Sequence, residues 1–244
     1  MKEIITVASG KGGVGKSTLC VHIANQLTAL GNKVLLIDFD IGLRCLDTIM
    51  GVSDNILYDW GDVINDICDF DEAVIEKENM FLLPAPRKSS ENINAKAVRS
   101  MIELATNSFD YIICDSSAGV GEAFELACSA SSYAIIVSTP DTISANAAAN
   151  ANEKAIEMGI RKTRLIINRF SYNELKKGRA LNIDDMIDLA GIQLLGVVPF
   201  EEKFARLNGQ NFNKNNSLSA IQAIARISGR IDGKEISLKN LEKM

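Results

Sequence analysis

Ser9-Gly-Lys-Gly-Gly-Val-Gly-Lys-Ser-Thr18 stands between a short apolar run, Ile4–Ala8, and an amphipathic stretch that opens at Ser17. From Gly10 to Ser17 it fits G-x-x-x-x-G-K-[ST], and a strand before with a helix after is the setting in which that spacing builds a phosphate loop. The residue types follow from the chemistry. Gly10, Gly12, Gly13 and Gly15 let the backbone turn tightly, so successive N–H groups point inward at phosphate oxygens. The helix that follows adds the positive end of its dipole. Lys16 is placed to bridge the β- and γ-phosphates and the Ser17 hydroxyl to ligate Mg²⁺. The whole cradle, Gly10 to Thr18 with Val14 inside it, implies a nucleotide with Mg²⁺ as the bound species.

Outward from the loop, short β-branched runs alternate with longer amphipathic ones. Ile4–Ala8, Val34–Asp38, Met80–Leu83, Tyr111–Asp115, Tyr133–Ser138, Arg164–Asn168 and Leu194–Val198 read as strands. Most are nearly continuous apolar runs, as expected of a parallel sheet covered on both faces. Ser17–Leu30, Ala95–Thr106, Gly121–Ala130, Ser144–Met158 and Ile183–Ala190 read as helices between them, and Ser217–Ser228 as a later core helix. Regular alternation predicts an α/β fold, one doubly wound, mostly parallel sheet with helices on both faces. Residues 1–229 make one domain and 230–244 a C-terminal tail; Asn208 to Asn216 reads as an exposed loop.

Composition narrows the setting. The chain has 244 residues, 47% of them hydrophobic and 23% charged, enough for a substantial core and too apolar for extensive disorder. Twenty-six basic against thirty-one acidic residues leave a net charge of -5, which argues against a surface coated in basic groups for nucleic acid. Five cysteines without a C-x-x-C exclude a disulfide framework or a zinc site within the chain and point to a reducing cytoplasm. No apolar run is long enough to span a bilayer, and the N-terminus has no signal-peptide pattern.

Carboxylates gather where such a sheet places its ligands. The second strand ends Leu-Leu-Ile-Asp38-Phe-Asp40, putting two acids on one face near the C-terminal edge. Another ends Ile-Ile-Cys-Asp115-Ser-Ser-Ala-Gly119, a run of apolar or small residues and then Asp, the Walker B pattern that holds Mg²⁺ directly or through water. Oxygen ligands beside a phosphate loop suit a hard cation. After Ile-Ile, Asn168 carries a side-chain amide with both donor and acceptor, which suits an adenine edge; a turn-forming asparagine is the competing reading. His22, one position off the apolar stripe of its helix, and Cys114 read as structural, and Arg44 as an exposed arginine.

The string Lys11-Gly-Gly-Val-Gly-Lys-Ser17 resembles the deviant Walker A motif of the MinD/ParA family of ATPases, and Asp38-Phe-Asp-Ile-Gly-Leu-Arg-Cys-Leu-Asp-Thr-Ile-Met-Gly51 resembles its MinD branch. The likeness covers roughly residues 2 to 227. It implies that Lys11 reaches the partner subunit's phosphates in an ATP-bound homodimer, that Asp40 orients or activates the attacking water, and that Asp38 supports the Mg²⁺ shell beside Ser17 and Asp115. Gly119 is then expected to bring a backbone N–H to the γ-phosphate, and Asn168 with the backbone after Pro199 to contact the base. Ser117 stands where the family usually has proline, which leaves the stiffness of that switch open.

The function implied is an ATP-driven dimerisation switch for division-site placement. Its implied protein partners are an inhibitor of ring assembly and an activator of hydrolysis. A partition or cargo-positioning ATPase is the alternative, with DNA disfavoured by the acidic balance and by the lack of a Pro-Gln after the second aspartate. Peripheral membrane contact rests on the tail, Gly233 to Met244, whose Ile236, Leu238 and Leu241 make either a weak amphipathic anchor or a packed or mobile end.

Overall fold

The computed structural model describes residues 3–205 and 217–238, so the asparagine-rich loop at 208–216 and the last six residues of the tail lie outside the described residues. Eight strands form one sheet: β1 (Glu3–Ser9), β2 (Val34–Asp38), β3 (Ile75–Lys77), β4 (Met80–Leu83), β5 (Tyr111–Ala118), β6 (Tyr133–Ser138), β7 (Lys162–Phe170) and β8 (Leu194–Pro199). Their order is β3-β4-β2-β5-β1-β6-β7-β8. Every pairing is parallel except β3 with β4 at one edge. The chain order reverses across β1, so the loops after β1, β2, β5 and β7 open onto the crevice where such sheets bind ligands.

The helices between strands are α1 (Lys16–Ala29), α2 (Leu46–Met50), α3 (Trp60–Ile64), α4 (Phe70–Ala73), α5 (Ala95–Ala105), α6 (Glu122–Cys128), α7 (Thr142–Glu157), α8 (Tyr172–Lys176), α9 (Ile183–Ala190), α10 (Glu202–Ala205) and α11 (Ser219–Ile231). Side chains alternate between faces along each strand. Ile5, Val7, Leu36 and Ile113 therefore join Leu19, Ile23, Leu27, Ile224 and Ile227 of α1 and α11 in one buried layer. Ala8, Ile136, Leu165 and Ile167 face α7 and α9 on the other side. On that same side Leu35, Ile37, Ile112 and Cys114 pack under α3, α5 and α6. This three-layer arrangement is the expected doubly wound fold.

Two differences from the sequence reading have plain causes. β3 was not expected: it is short and carries Glu76 and Lys77, as edge strands do. β5 runs past Asp115 to Ala118 because Ser9 pairs with Ala118 and the Gly119 N–H donates to the Ser9 carbonyl at 2.9 Å. Ser116 and Ser117 fall in the register shift between the Val7–Asp115 and Ser9–Ala118 pairs, so the backbone there is bounded by ladder pairing on both sides where a proline would have fixed it by its ring. At the other end α11 continues to Ile231, and residues 234–238 follow it without helix. Arg230 clasps this segment through Nε to the Ile236 carbonyl at 2.8 Å and Nη2 to the Ser237 carbonyl at 2.9 Å. Ile236 is thereby held against α11, while Leu238 stays 54% exposed.

Candidate functional site

The loop from Ser9 to Lys16 owes its shape to contacts that tolerate no side chain. A Cβ on Gly10 would run into the carbonyl of Ala147 on α7, a backbone group that cannot swing aside. Gly15 caps α1 at φ 91, in the left-handed region, and a Cβ there would lie 2.5 Å from the Asn168 amide nitrogen. Asn168, at the end of β7 and buried, donates that amide to the Val14 carbonyl at 2.7 Å. Its donor thus braces the loop, a role that the base-contact expectation did not contain.

Lys16, in the first turn of α1, points into the sheet edge. Its Nζ donates to Asp115 Oδ1 at 2.6 Å, with the lysine side chain 8% exposed and the aspartate fully buried. Burial, the largest influence, pulls the ammonium down, yet the neighbouring groups together, Asp115 foremost with Cys20 and Asp38, hold Lys16 above its ordinary value. Cys20, one turn along, donates its thiol to the same oxygen at 3.4 Å. The other oxygen, Asp115 Oδ2, is buried and accepts no hydrogen bond among the described residues. A buried carboxylate oxygen without a donor costs about 1–3 kcal/mol, and a cation is the partner that would satisfy it. Ser17, in the first turn of α1 and on the cavity wall, adds a hydroxyl oxygen, and oxygen ligands of this kind fit Mg²⁺.

Asp38 faces Asp115 as its register partner on the neighbouring strand. Burial, and then the Asp115 carboxylate, push its carboxyl up to about 7. Both oxygens already hold backbone: Oδ1 accepts from the Asp40 N–H at 2.8 Å and Oδ2 from the Leu46 N–H at 3.0 Å. Asp38 therefore shapes the turn that carries Asp40. The indole of Trp60 adds to the hold by donating to the Asp38 carbonyl at 2.7 Å, fully buried and 5.5 Å from the Phe39 ring. Asp40 itself is half-buried at the mouth, its carboxyl raised by burial against the pull of Lys16.

Arg44 overturns its expectation as an exposed residue. Its side chain is 10% exposed, and it donates Nε to the Ala85 carbonyl and Nη2 to Asp59 Oδ2 at 3.3 Å. Asp59 caps α3, so the arginine ties the Asp40 loop to that helix. The partners lie 41 and 15 residues away, beyond what local pattern reveals. Lys11 reaches Asp141 Oδ1 at 3.5 Å in an exposed pair, while Asp141 caps α7 through the Ser144 N–H. Gly119, at φ 86, directs its N–H to the Ser9 carbonyl, and Ala118 instead lines the mouth.

A cavity of about 270 Å³ joins these groups, bounded by Gly13 to Thr18, Asp40, Cys45, Ile49, Ala118 and Arg169. A narrower one of about 70 Å³ adjoins it between Asn168, Pro199, Phe200 and Glu201. Of the expected site, the structure brings together Val14, Gly15, Lys16, Ser17, Thr18, Asp38, Asp40 and Asp115, with Asn168 and Pro199 one step away; Lys11 stands on the rim. Cys45 and Ile49 of the wall and Arg169 were not anticipated. His22, set aside as structural, is buried against Phe204 with ring centres 4.8 Å apart, and burial lowers it to about 4.

Comparison with known proteins agrees in one direction. Residues 5–212 match the CobQ/CobB/MinD/ParA nucleotide binding domain. The septum site-determining protein MinD of Synechocystis sp. is 36% identical over 97% of this chain and 91% of its own length. Among solved structures, the MinC:MinD cell division protein complex of Aquifex aeolicus superposes with TM-score 0.90 at 34% identity, covering 98% of both chains. The Pyrococcus horikoshii septum site-determining protein MinD, complexed with Mg-ADP, shares the fold at TM-score 0.79 and 22% identity over 95% of this chain and 96% of that one.

Proposed function

The chain belongs to the CobQ/CobB/MinD/ParA family of nucleotide-binding proteins, and on that premise we propose that it is a MinD-like ATPase acting in division-site placement. One observation carries the site assignment. The buried Lys16–Asp115 pair, with Asp115 Oδ2 unsatisfied, sits at the foot of a glycine loop and within reach of Asp38 and Asp40.

The steps follow from what each group holds. Phosphate oxygens enter the ring of loop N–H groups, and Lys16 exchanges its aspartate partner for them. Asp115 and Ser17 then present oxygen to Mg²⁺, which when bound neutralises phosphate charge. Asp40, held in place by Asp38, Leu46 and the Arg44 clasp, orients the attacking water. Asn168 keeps the loop from spreading, and the base lies toward Pro199. In this reading Gly119 gives up the Ser9 carbonyl to reach the γ-phosphate, which couples the start of α6 to nucleotide.

Lys11 supports a second layer of the proposal, the ATP-bound homodimer. Its pair with Asp141 is exposed and long, a kind worth about 0–1 kcal/mol, so a partner subunit's phosphates easily outcompete it. A protein partner of the division system is favoured by the MinC:MinD neighbour at 34% identity. The partition alternative has the weaker support, since MinD relatives reach 36% identity. Among the described residues no helix is long and apolar enough to cross a membrane.

Calorimetric titration with Mg-ATP together with a phosphate-release assay tests the core reading. Binding with slow turnover, lost in Asp40→Asn for turnover alone, is expected; a wild-type chain that does not bind ATP overturns it. Co-sedimentation with anionic vesicles and with duplex DNA, in ATP and in ADP, separates membrane from partition behaviour.

A further inference from the structure

Resting on the nucleotide reading above, the geometry points to Arg169 as a positioning residue that holds the middle of the nucleotide, the ribose and α-phosphate between the base and the terminal phosphates. The phosphate cavity and the base cavity share only Gly15, Thr18 and Arg169 in their walls. Of these, Arg169 alone carries a cation. The base side is otherwise Asn168, Pro199, Phe200, Glu201 and Phe204, three of them apolar faces suited to a ring, whereas Lys16 and Ser17 lie on the phosphate side alone. A guanidinium at that junction, always charged and forked, is suited to phosphate oxygens.

The backbone puts it there at a cost. Arg169 has φ 59, the left-handed region, which for a residue with a side chain is disfavoured by about 1–2 kcal/mol. The pairing of β7 with β8 also slips in register between Ile167 and Phe170. Such bulges re-aim a side chain beside a site. Here Asn168 and Phe170 stay buried while Arg169 alone turns out. Among the described residues its guanidinium makes no hydrogen bond or ion pair, in contrast to Arg44 and Arg230, which are both clasped to carbonyls. Strain that displays an unpaired cation gives the fold nothing. Arg169 also borders the wider groove of about 550 Å³ between α7 and α8, but only the phosphate and base cavities reach Gly15 of the loop, and a ligand lying across those two would meet its guanidinium.

Glycine takes a positive φ without penalty, so Arg169→Gly separates the two roles. The variant is expected to keep or raise its thermal midpoint while its Kd for Mg-ADP rises roughly tenfold. Its affinity for inorganic phosphate, which offers the loop one phosphate and neither a ribose nor a second phosphoryl group, stays at the wild-type value. Arg169→Lys, with charge but no fork, falls between. An Mg-ADP Kd within about twofold of wild type overturns the inference, as does an equal loss for inorganic phosphate. Failure of the wild-type chain to bind Mg-ADP would sink the nucleotide reading itself, and the inference with it.

Discussion

Removing Lys16 should destabilise the protein before any nucleotide is added. The Nζ–Oδ1 separation is 2.6 Å and both side chains are buried, 8% and 0% exposed. Two unit charges at that distance attract by about 6 kcal/mol at an effective dielectric of about 20, an upper figure from which desolvation of both ions is subtracted. Lys16→Ala leaves the Asp115 carboxylate buried, with one oxygen already undonated and Asp38 as its strand neighbour. Orphaning one member of a buried pair costs about 3–5 kcal/mol.

The deficit comes from an orphaned charge, so taking that charge away as well should remove it. Urea unfolding without nucleotide, followed by circular dichroism, measures it. The double variant Lys16→Ala/Asp115→Asn should regain most of the loss, since neither charge is then orphaned. A deficit under about 1 kcal/mol at neutral pH, or one that the double variant leaves in full, would refute the reasoning.

Other outcomes follow from the same contacts. His22 is buried and lowered from 6.5 to about 4, so the unfolded chain takes its proton first and stability falls as pH drops through that window. Linkage sets the loss between about pH 7 and pH 5 at about 2 kcal/mol, and His22→Leu should flatten that slope in urea titrations; an unchanged slope would assign it elsewhere. Gly10→Ala drives a Cβ into the Ala147 carbonyl and should abolish nucleotide binding through a displaced loop, read by calorimetry. Trp60→Phe keeps the ring but leaves the Asp38 carbonyl without its donor. It should cost about 1–3 kcal/mol and lower kcat with little change in the Kd for ATP, because Asp40 loses its support.

The sheet was legible because its strands are buried on both faces. Val34 to Asp38 is buried at every position and reads as an unbroken apolar run ending in acid. The loop was legible because glycine spacing is a backbone requirement written directly into the residues. What escaped depends on partners far along the chain. Arg44 looks like a solvated charge until Ala85 and Asp59 close around it. Asp38 reads as a metal-shell acid, yet its two oxygens hold the Asp40 and Leu46 N–H groups. The polar extension of β5 through Ser116 to Ala118 carries no strand signal of its own; it exists because Ser9 lies alongside. Arg169 follows Asn168 with nothing in the pattern to mark it, and only the register slip against β8 gives it away.

In the proposed switch, the γ-phosphate sets which of two positions this chain takes. Sedimentation velocity of the wild-type protein with Mg-ATP and with Mg-ADP, alongside Lys11→Ala, addresses that most directly. A dimer with Mg-ATP, a monomer with Mg-ADP, and a variant that binds ATP yet stays monomeric are predicted. The same sedimentation coefficient in both nucleotides would contradict the account, and dimerisation of Lys11→Ala like that of wild type would remove Lys11 from the interface.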